Sequence, residues 1–211
     1  MKQTIPTQAV LSAGSGFSYS RPFFEDLVDS ALAHAKKIGA SDAAAEASEG
    51  SGLSVSVRKG ELENVERNRD KSLGVTVYIG KRRGNANTSD FSAAAIEQTV
   101  QAAYDIARFT AQDPFAALPD ARDIAPASRH RDDLDLFHPW AITADQAATL
   151  ALRGESAALK TDSRISNSEG AGVSAQQSHF FSAHTRGFRG GYASSRHDLC
   201  NGRTSVVLDV H

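Results

Sequence analysis

The chain has 211 residues, 40% of them hydrophobic and 23% charged, with a formal net charge of -2. That is enough chain to bury a substantial core, and its balanced charge gives no broad basic face of the kind that nucleic-acid binding needs. A single cysteine, Cys200, excludes an intrachain disulfide and a multi-cysteine zinc site and suits a reducing, cytoplasmic compartment, while no apolar run reaches signal-peptide or membrane-spanning character.

Residues 1–20 show no periodicity and contain Gly14-Ser15-Gly16, so they read as a flexible arm, with the fold starting near Arg21. Phe24, Leu27, Val28, Ala31, Leu32 and Ala35 then fall at helical spacing, with Pro22 suited to a first turn and Gly39 to a stop. The period next changes to two. Ala43, Ala45 and Ala47 alternate with polar neighbours, and Leu53, Val55 and Val57 do so after Gly50-Ser51-Gly52, which predicts two strands. Lys59-Gly60 makes a turn, residues 62–68 return, Leu73, Val75, Val77 and Ile79 form the clearest alternating strand, and residues 82–89 pair back after Gly80. Val75 and Val77 are expected to face inward and Thr76 outward. Lys81-Arg82-Arg83 sits at the hairpin tip, where charge is ordinarily solvated.

Ser92 suits the cap of a second helix carrying Ile96, Val100, Ala103 and Ala107 on one stripe. Residues 111–141, with Pro114, Pro119, Pro126 and Pro139, read as a surface excursion. Thr143 and Gln146 form a capping box for a third helix through Leu150, Ala151 and Ala158, with Gly154 weakening its middle. From Ile165 onward glycines and short alternating pieces predict a second, Gly-rich β region. The fold class is therefore α+β: an antiparallel β-meander packed against helices, followed by a second Gly-rich β region.

Three groups invite a chemical reading and none sustains it. His179 and His184 are five apart on a predicted strand, so they point to opposite faces, and Phe180 stands where a helical zinc protease has its glutamate. Ser195, His197 and Asp198 are adjacent in sequence, whereas a catalytic triad converges from separate parts of a fold. Of Glu61, Glu63, Glu66 and Asp70, strand alternation puts Glu61 and Glu63 on one face and Glu66 on the other, so the cluster reads as solvated. No catalytic, cofactor-binding or metal-ligating residue is assigned.

Several stretches nevertheless resemble one family. They are Gly60-Glu61-Leu62-Glu63-Asn64-Val65-Glu66-Arg67-Asn68, Leu73 to Tyr78 leading into Arg83 to Ser92, and Asp133-Leu134-Asp135-Leu136-Phe137-His138-Pro139. Arg164 to Gly170 and Gly191 to His197 add to them. Together they resemble the TldD/PmbA family on its PmbA/TldE branch, over about residues 24–199. The resemblance implies an N-terminal domain over residues 21–199, a divergent tail over 200–211, and a larger C-terminal domain absent from this chain. It further implies pairing with a TldD-like catalytic subunit in a cytosolic zinc metallopeptidase acting on unfolded or modified peptides. The family's zinc motif, H-E-x-x-x-H, belongs to TldD, so no cofactor is expected in this chain and zinc is expected in the partner. The resemblance thus leaves the isolated chain without its own zinc chemistry. An unpartnered domain should also expose apolar surface and self-associate, with Phe180, Phe181 and Phe188 the expected contact. The competing reading is a free-standing peptide-binding module that works by β-strand addition. Modulation of DNA gyrase, a label attached to the family, finds no support in the charge balance.

Overall fold

A computed structural model describes residues 16–124, 134–201 and 204–206. Helix α1 (Arg21–Lys37) starts where the Ser20 hydroxyl accepts the Phe23 amide, and it stops at Gly39, whose φ of +94° favours glycine. The periodic residues Phe24, Leu27, Val28, Ala31 and Ala35 are all buried. The expected flexible arm is anchored at its inner end, a difference from the sequence reading. Glu49 accepts the Ser18 amide through both carboxylate oxygens at 2.9 Å and the Tyr19 amide at 3.1 Å. Residues 1–15 of that arm lie outside the described residues.

The four strands expected between residues 43 and 79 are two long ones, β1 (Asp42–Arg58) and β2 (Glu61–Ile79). Gly50 and Gly52 do not break β1, because neither takes the left-handed conformation that a turn would use. The same parity stays buried across them, from Ala43, Ala45 and Ala47 through Glu49 to Leu53, Val55 and Val57. The true reversal is at Lys59 and Gly60, with φ of 54° and 80°, the left-handed pair that a two-residue hairpin requires.

Strand β3 (Arg82–Thr88) pairs antiparallel with the second half of β2, from Leu73 opposite Thr88 to Ile79 opposite Arg82. Val75 and Val77 are buried as expected, and Thr76, on the other face, donates its hydroxyl to Asn85 Oδ1 at 2.8 Å. Helix α2 (Ala93–Phe109) is capped by Ser92 and buries Ile96, Val100, Ala103 and Ala107. Helix α3 (Ala144–Leu159) carries both bonds of the Thr143/Gln146 capping box and continues through Gly154. In the excursion between α2 and α3 the described residues are irregular apart from a short 3-10 turn, Ala121–Asp123.

The second β region comprises β4 (Ile165–Ser168), β5 (Ala171–His184), β6 (Arg189–Gly190), β7 (Ala193–Asn201) and β8 (Thr204–Val206). The main sheet has the order β3-β2-β1-β5-β6, with β7 also pairing with β5, and β4 pairs with β8 in a separate ribbon. The fold is α+β, as the sequence predicts. Of the residues beyond Leu199, expected to be a divergent tail, Cys200 and Asn201 continue β7 and Thr204–Val206 form β8.

Two compact units divide the chain where one domain over residues 21–199 was expected. Among the described residues the first comprises 16–49, 70–124, 134–135 and 178–193, and its core joins α1, α2 and the alternating residues of β1, β2 and β5 around Phe24, Leu73, Val75, Val100 and Phe181. The second comprises the described residues 50–69, 136–177, 194–201 and 204–206, and α3 closes it over Leu53, Val55, Val57, Ala171 and Val173. Apolar alternation places each strand residue inward without saying which helix covers it.

Helix α2 lies so close on β3 that a Cβ on Gly84 would stand 2.1 Å from the Ala103 carbonyl oxygen and 2.5 Å from the Ala107 amide nitrogen. Both neighbours are helix backbone and cannot swing aside. Gly84→Ala is therefore expected to destabilise the first unit by about 1–3 kcal/mol, read as a lower urea midpoint. An unchanged midpoint would show that α2 does not press on β3 in solution.

Candidate functional site

In the second unit, the hairpin formed by the end of β1 and the start of β2 is held at its tip by one carboxylate. Glu155 on α3 is 2% exposed, and its two oxygens accept the Lys59 amide at 2.9 Å and the Gly60 amide at 2.8 Å. Burial pushes the Glu155 carboxyl up, but hydrogen bonds from Gly60, Ser168 and Lys59, with the nearby Arg58 charge, outweigh it and hold the group below its ordinary pKa. Beside it, Gly170 has φ of +106°, and a Cβ there would lie 2.4 Å from the Val57 carbonyl oxygen. Ser168 accepts the Gly170 amide at 2.9 Å.

Beyond this anchor every residue of β2 from Glu61 to Asp70 is exposed, on both faces of the strand. Leu62 is 56% and Val65 42% exposed, high values for aliphatic side chains in a strand. Strand β3 covers only Leu73–Ile79, so among the described residues the earlier part of β2 has a ladder neighbour in β1 alone. An open strand flank offers backbone donors and acceptors to another extended chain. The acidic residues Glu61, Glu63, Glu66 and Asp70 lie in this exposed stretch, as expected, and Glu63 stands 3.9 Å from Arg58. No pair of them is enclosed. Their surroundings suit recognition of a partner better than proton transfer.

The structure brings together none of the sequence groups that imitate catalysis. His179 and His184 both lie on β5 at opposite parity: His179 is buried with Phe181 and Ala183, while His184 stacks on Phe188 at 5.5 Å. His179 instead lies between Phe17 and Phe24, at ring distances of 4.2 and 4.6 Å. Its Nε2 is 3.5 Å from Glu49 Oε2, near enough for charge to matter but without a hydrogen bond. Burial lowers the pKa of this imidazole, and Glu49 offsets part of that shift. On β7 the Ser195 hydroxyl accepts the His138 amide, His197 packs edge-on against Trp140, and Asp198 bonds Arg196 and Ser174. Each of the three is engaged separately, so they form no relay.

The aromatic contact expected around Phe180, Phe181 and Phe188 is largely satisfied internally. Phe181 is buried and Phe180 packs edge-on against Tyr192 at 4.8 Å, so the exposed apolar residues lie elsewhere, Leu62 and Val65 among them. Sequence reasoning missed Glu49 and Glu155 as structural carboxylates. Their signal was parity: Glu49 extends the inward series of Ala43, Ala45 and Ala47, and Glu155 follows Ala147 and Ala151 at four-residue spacing.

Comparison with known proteins gives this architecture a family. Residues 43–107 match domain 1 of the PmbA/TldA metallopeptidases and residues 137–207 match their central domain. The second match runs past Leu199, where the resemblance was expected to end. Metalloprotease PmbA of Escherichia coli O157:H7 is 45% identical over 180 residues, covering 85% of this chain and 39% of that protein. A PmbA homolog of Haemophilus influenzae is 43% identical over 149 residues, covering 71% of this chain and 32% of its own length. Among solved structures, TldE of Thermococcus kodakarensis superposes with a TM-score of 0.63 at 13% identity, covering 85% of this chain and 40% of its own. A Bacteroides thetaiotaomicron protein described as a proposed modulator of DNA gyrase gives a TM-score of 0.66 at 20% identity, with the same coverages. At such identities these structures establish the fold alone.

The chain belongs to the PmbA/TldD family, on its PmbA/TldE side. It spans about two fifths of the length of the Escherichia coli relative.

The lowered pKa of Glu155 sets a pH dependence. Its stabilisation is complete above the ordinary glutamate pKa of 4.5 and is lost as pH falls through the lower folded value. Glu155→Gln, which leaves one acceptor for two amides, is expected to cost about 1–3 kcal/mol at neutral pH and to flatten the acid limb of stability. Urea unfolding of both proteins across the acid range checks this, and parallel acid limbs would show that Glu155 contributes nothing there.

Proposed function

We propose that this chain is a non-catalytic part of a TldD/TldE-type zinc metallopeptidase assembly, pairing with a TldD-like subunit that holds the zinc and cuts unfolded or modified peptides. The observation that carries the reading is a division of labour within the sequence. Both domain matches to the metallopeptidase family fall in this chain, whereas H-E-x-x-x-H occurs nowhere in its 211 residues. The separately engaged His179, His184, Ser195, His197 and Asp198 supply no substitute for it. In this reading the chain orients the catalytic subunit or its peptide, and the assembly works in the cytoplasm. Among the described residues no helix is long and apolar enough to cross a membrane, which agrees with that setting.

One observation favours a second reading. The open flank of β2 could accept an extended peptide directly, making the chain a peptide-binding module in its own right.

The test is to assay unfolded-peptide hydrolysis by the chain, by a TldD-like subunit and by their mixture, and to pass the mixture over a column carrying the tagged chain. Retention of the subunit, with activity that follows it and is lost on zinc chelation, is the expected result. Chelator-sensitive hydrolysis by the isolated chain would refute the non-catalytic assignment. Peptide retention without capture of the subunit would favour the module.

A further inference from the structure

We propose that the lead-in to α1, residues 16–18, is an acid-released clasp: proton uptake at His179 Nε2 gives Glu49 a new partner and lets the lead-in lift from β1 and β5. The inference is independent of the peptidase reading.

Two ties of the lead-in meet at one buried pair. Glu49, 2% exposed, accepts the Ser18 amide through both oxygens at 2.9 Å and the Tyr19 amide through Oε2 at 3.1 Å. The Phe17 ring lies 4.2 Å from the imidazole of His179, which Phe24 flanks at 4.6 Å. His179 Nε2 is buried without a hydrogen-bond partner, 3.5 Å from the same Glu49 Oε2. A neutral imidazole fits that setting as an aromatic ring. An imidazolium does not, because its second N–H needs an acceptor and its charge needs water or a carboxylate. Lifting the lead-in removes Phe17 and lets water reach the ring. The imidazolium then stands beside Glu49 in place of the Ser18 amide, so the buried carboxylate keeps a partner in the open form. The opening ends at Tyr19, whose ring packs on Phe23 and Phe91 and whose hydroxyl accepts the Lys71 ammonium, so α1 itself stays seated.

The other charged groups on the surrounding elements are engaged among themselves or face away. Arg21 and Arg189 flank Phe181, two residues along β5, and are paired with Glu25 and Asp29 of α1. Lys71 of β2 lies over Tyr19 and Phe91, and Glu46 of β1 has the opposite parity and is exposed. Glu49 supplies the charge that acts on His179, and burial outweighs it, so in the closed form the imidazole pKa lies below its ordinary 6.5. The closed form is therefore fully stabilised above 6.5 and progressively less so as pH falls from there toward the lower closed-form value.

Amide hydrogen exchange of the full chain, expressed as protection relative to the intrinsic rate at each pH, reads the clasp residue by residue. The Ser18 amide is expected to lose up to about tenfold in protection per pH unit below 6.5, while Ala31 within α1 and Val75 in β2 keep theirs. The His179 ring, followed by NMR, should titrate over the same range. His179→Phe, which keeps a ring and takes up no proton, should leave Ser18 protection flat with pH. Glu49→Gln, which keeps an amide acceptor and removes the charge, should lower the His179 midpoint further, and it carries the test if the first variant does not fold. Circular dichroism checks folding. Ser18 protection that stays constant while His179 titrates, an equal fall at Ala31 and Val75, the same fall in His179→Phe, or a His179 midpoint unmoved in Glu49→Gln would each overturn the proposal.

Discussion

The β1–β2 arm depends on one buried charge. A carboxylate withdrawn from water is costly unless hydrogen bonds replace its hydration, and Glu155 receives them from consecutive amides at the tip of the hairpin. Those amides converge on it because Lys59 and Gly60 both adopt the left-handed backbone. Turn geometry and the buried acid therefore require each other: relaxing the turn would strand the charge, and removing the charge would leave two backbone donors to find water. With the tip fixed to α3, the register in which β2 leaves the turn is fixed too, and the exposed stretch beyond it is presented as an ordered strand.

The first unit uses the same device for a different purpose. Glu49, also 2% exposed, binds the amides of Ser18 and Tyr19 and thereby seats the residues that lead into α1. With the lead-in held, Phe17 and Phe24 close over His179, and Tyr19 stacks near Phe23 and Phe24. The His179 Nε2 faces Glu49 Oε2 at 3.5 Å without hydrogen-bond geometry. The imidazole packs as a ring first and acts as a polar group second.

How far the sequence could be read follows from this. Helix ends were legible because caps are local: Ser92 bonds Ala95 three residues on, and Thr143 and Gln146 bond each other. The strand from Leu73 to Ile79 was legible because a buried face imposes a period of two. Strand continuity was not, since Gly50 and Gly52 mark a turn or an extended run according to a backbone angle that composition does not determine. Nor was the division into two cores, because Val55 and Val75 carry the same alternation although one belongs under α3 and the other under α2. The two structural acids escaped for a related reason. A carboxylate at an inward position looks like a break in a pattern until the amides it serves, distant in sequence, are placed beside it.

A final step concerns the stretch from Glu61 to Asp70. Its residues are exposed, so core packing places almost no demand on their identity, yet it is among the segments by which this chain resembles its family. Strand propensity alone would be met by many sequences, and solubility alone by a run of one charge sign. Neither accounts for acids preceding bases around exposed Leu62 and Val65. The stretch is held in a fixed register by a buried acid whose stabilisation comes from the amides of the turn, Lys59 and Gly60, and not from the exposed residues themselves. An open strand flank is one way in which an extended chain can be aligned through its backbone, whatever its side chains.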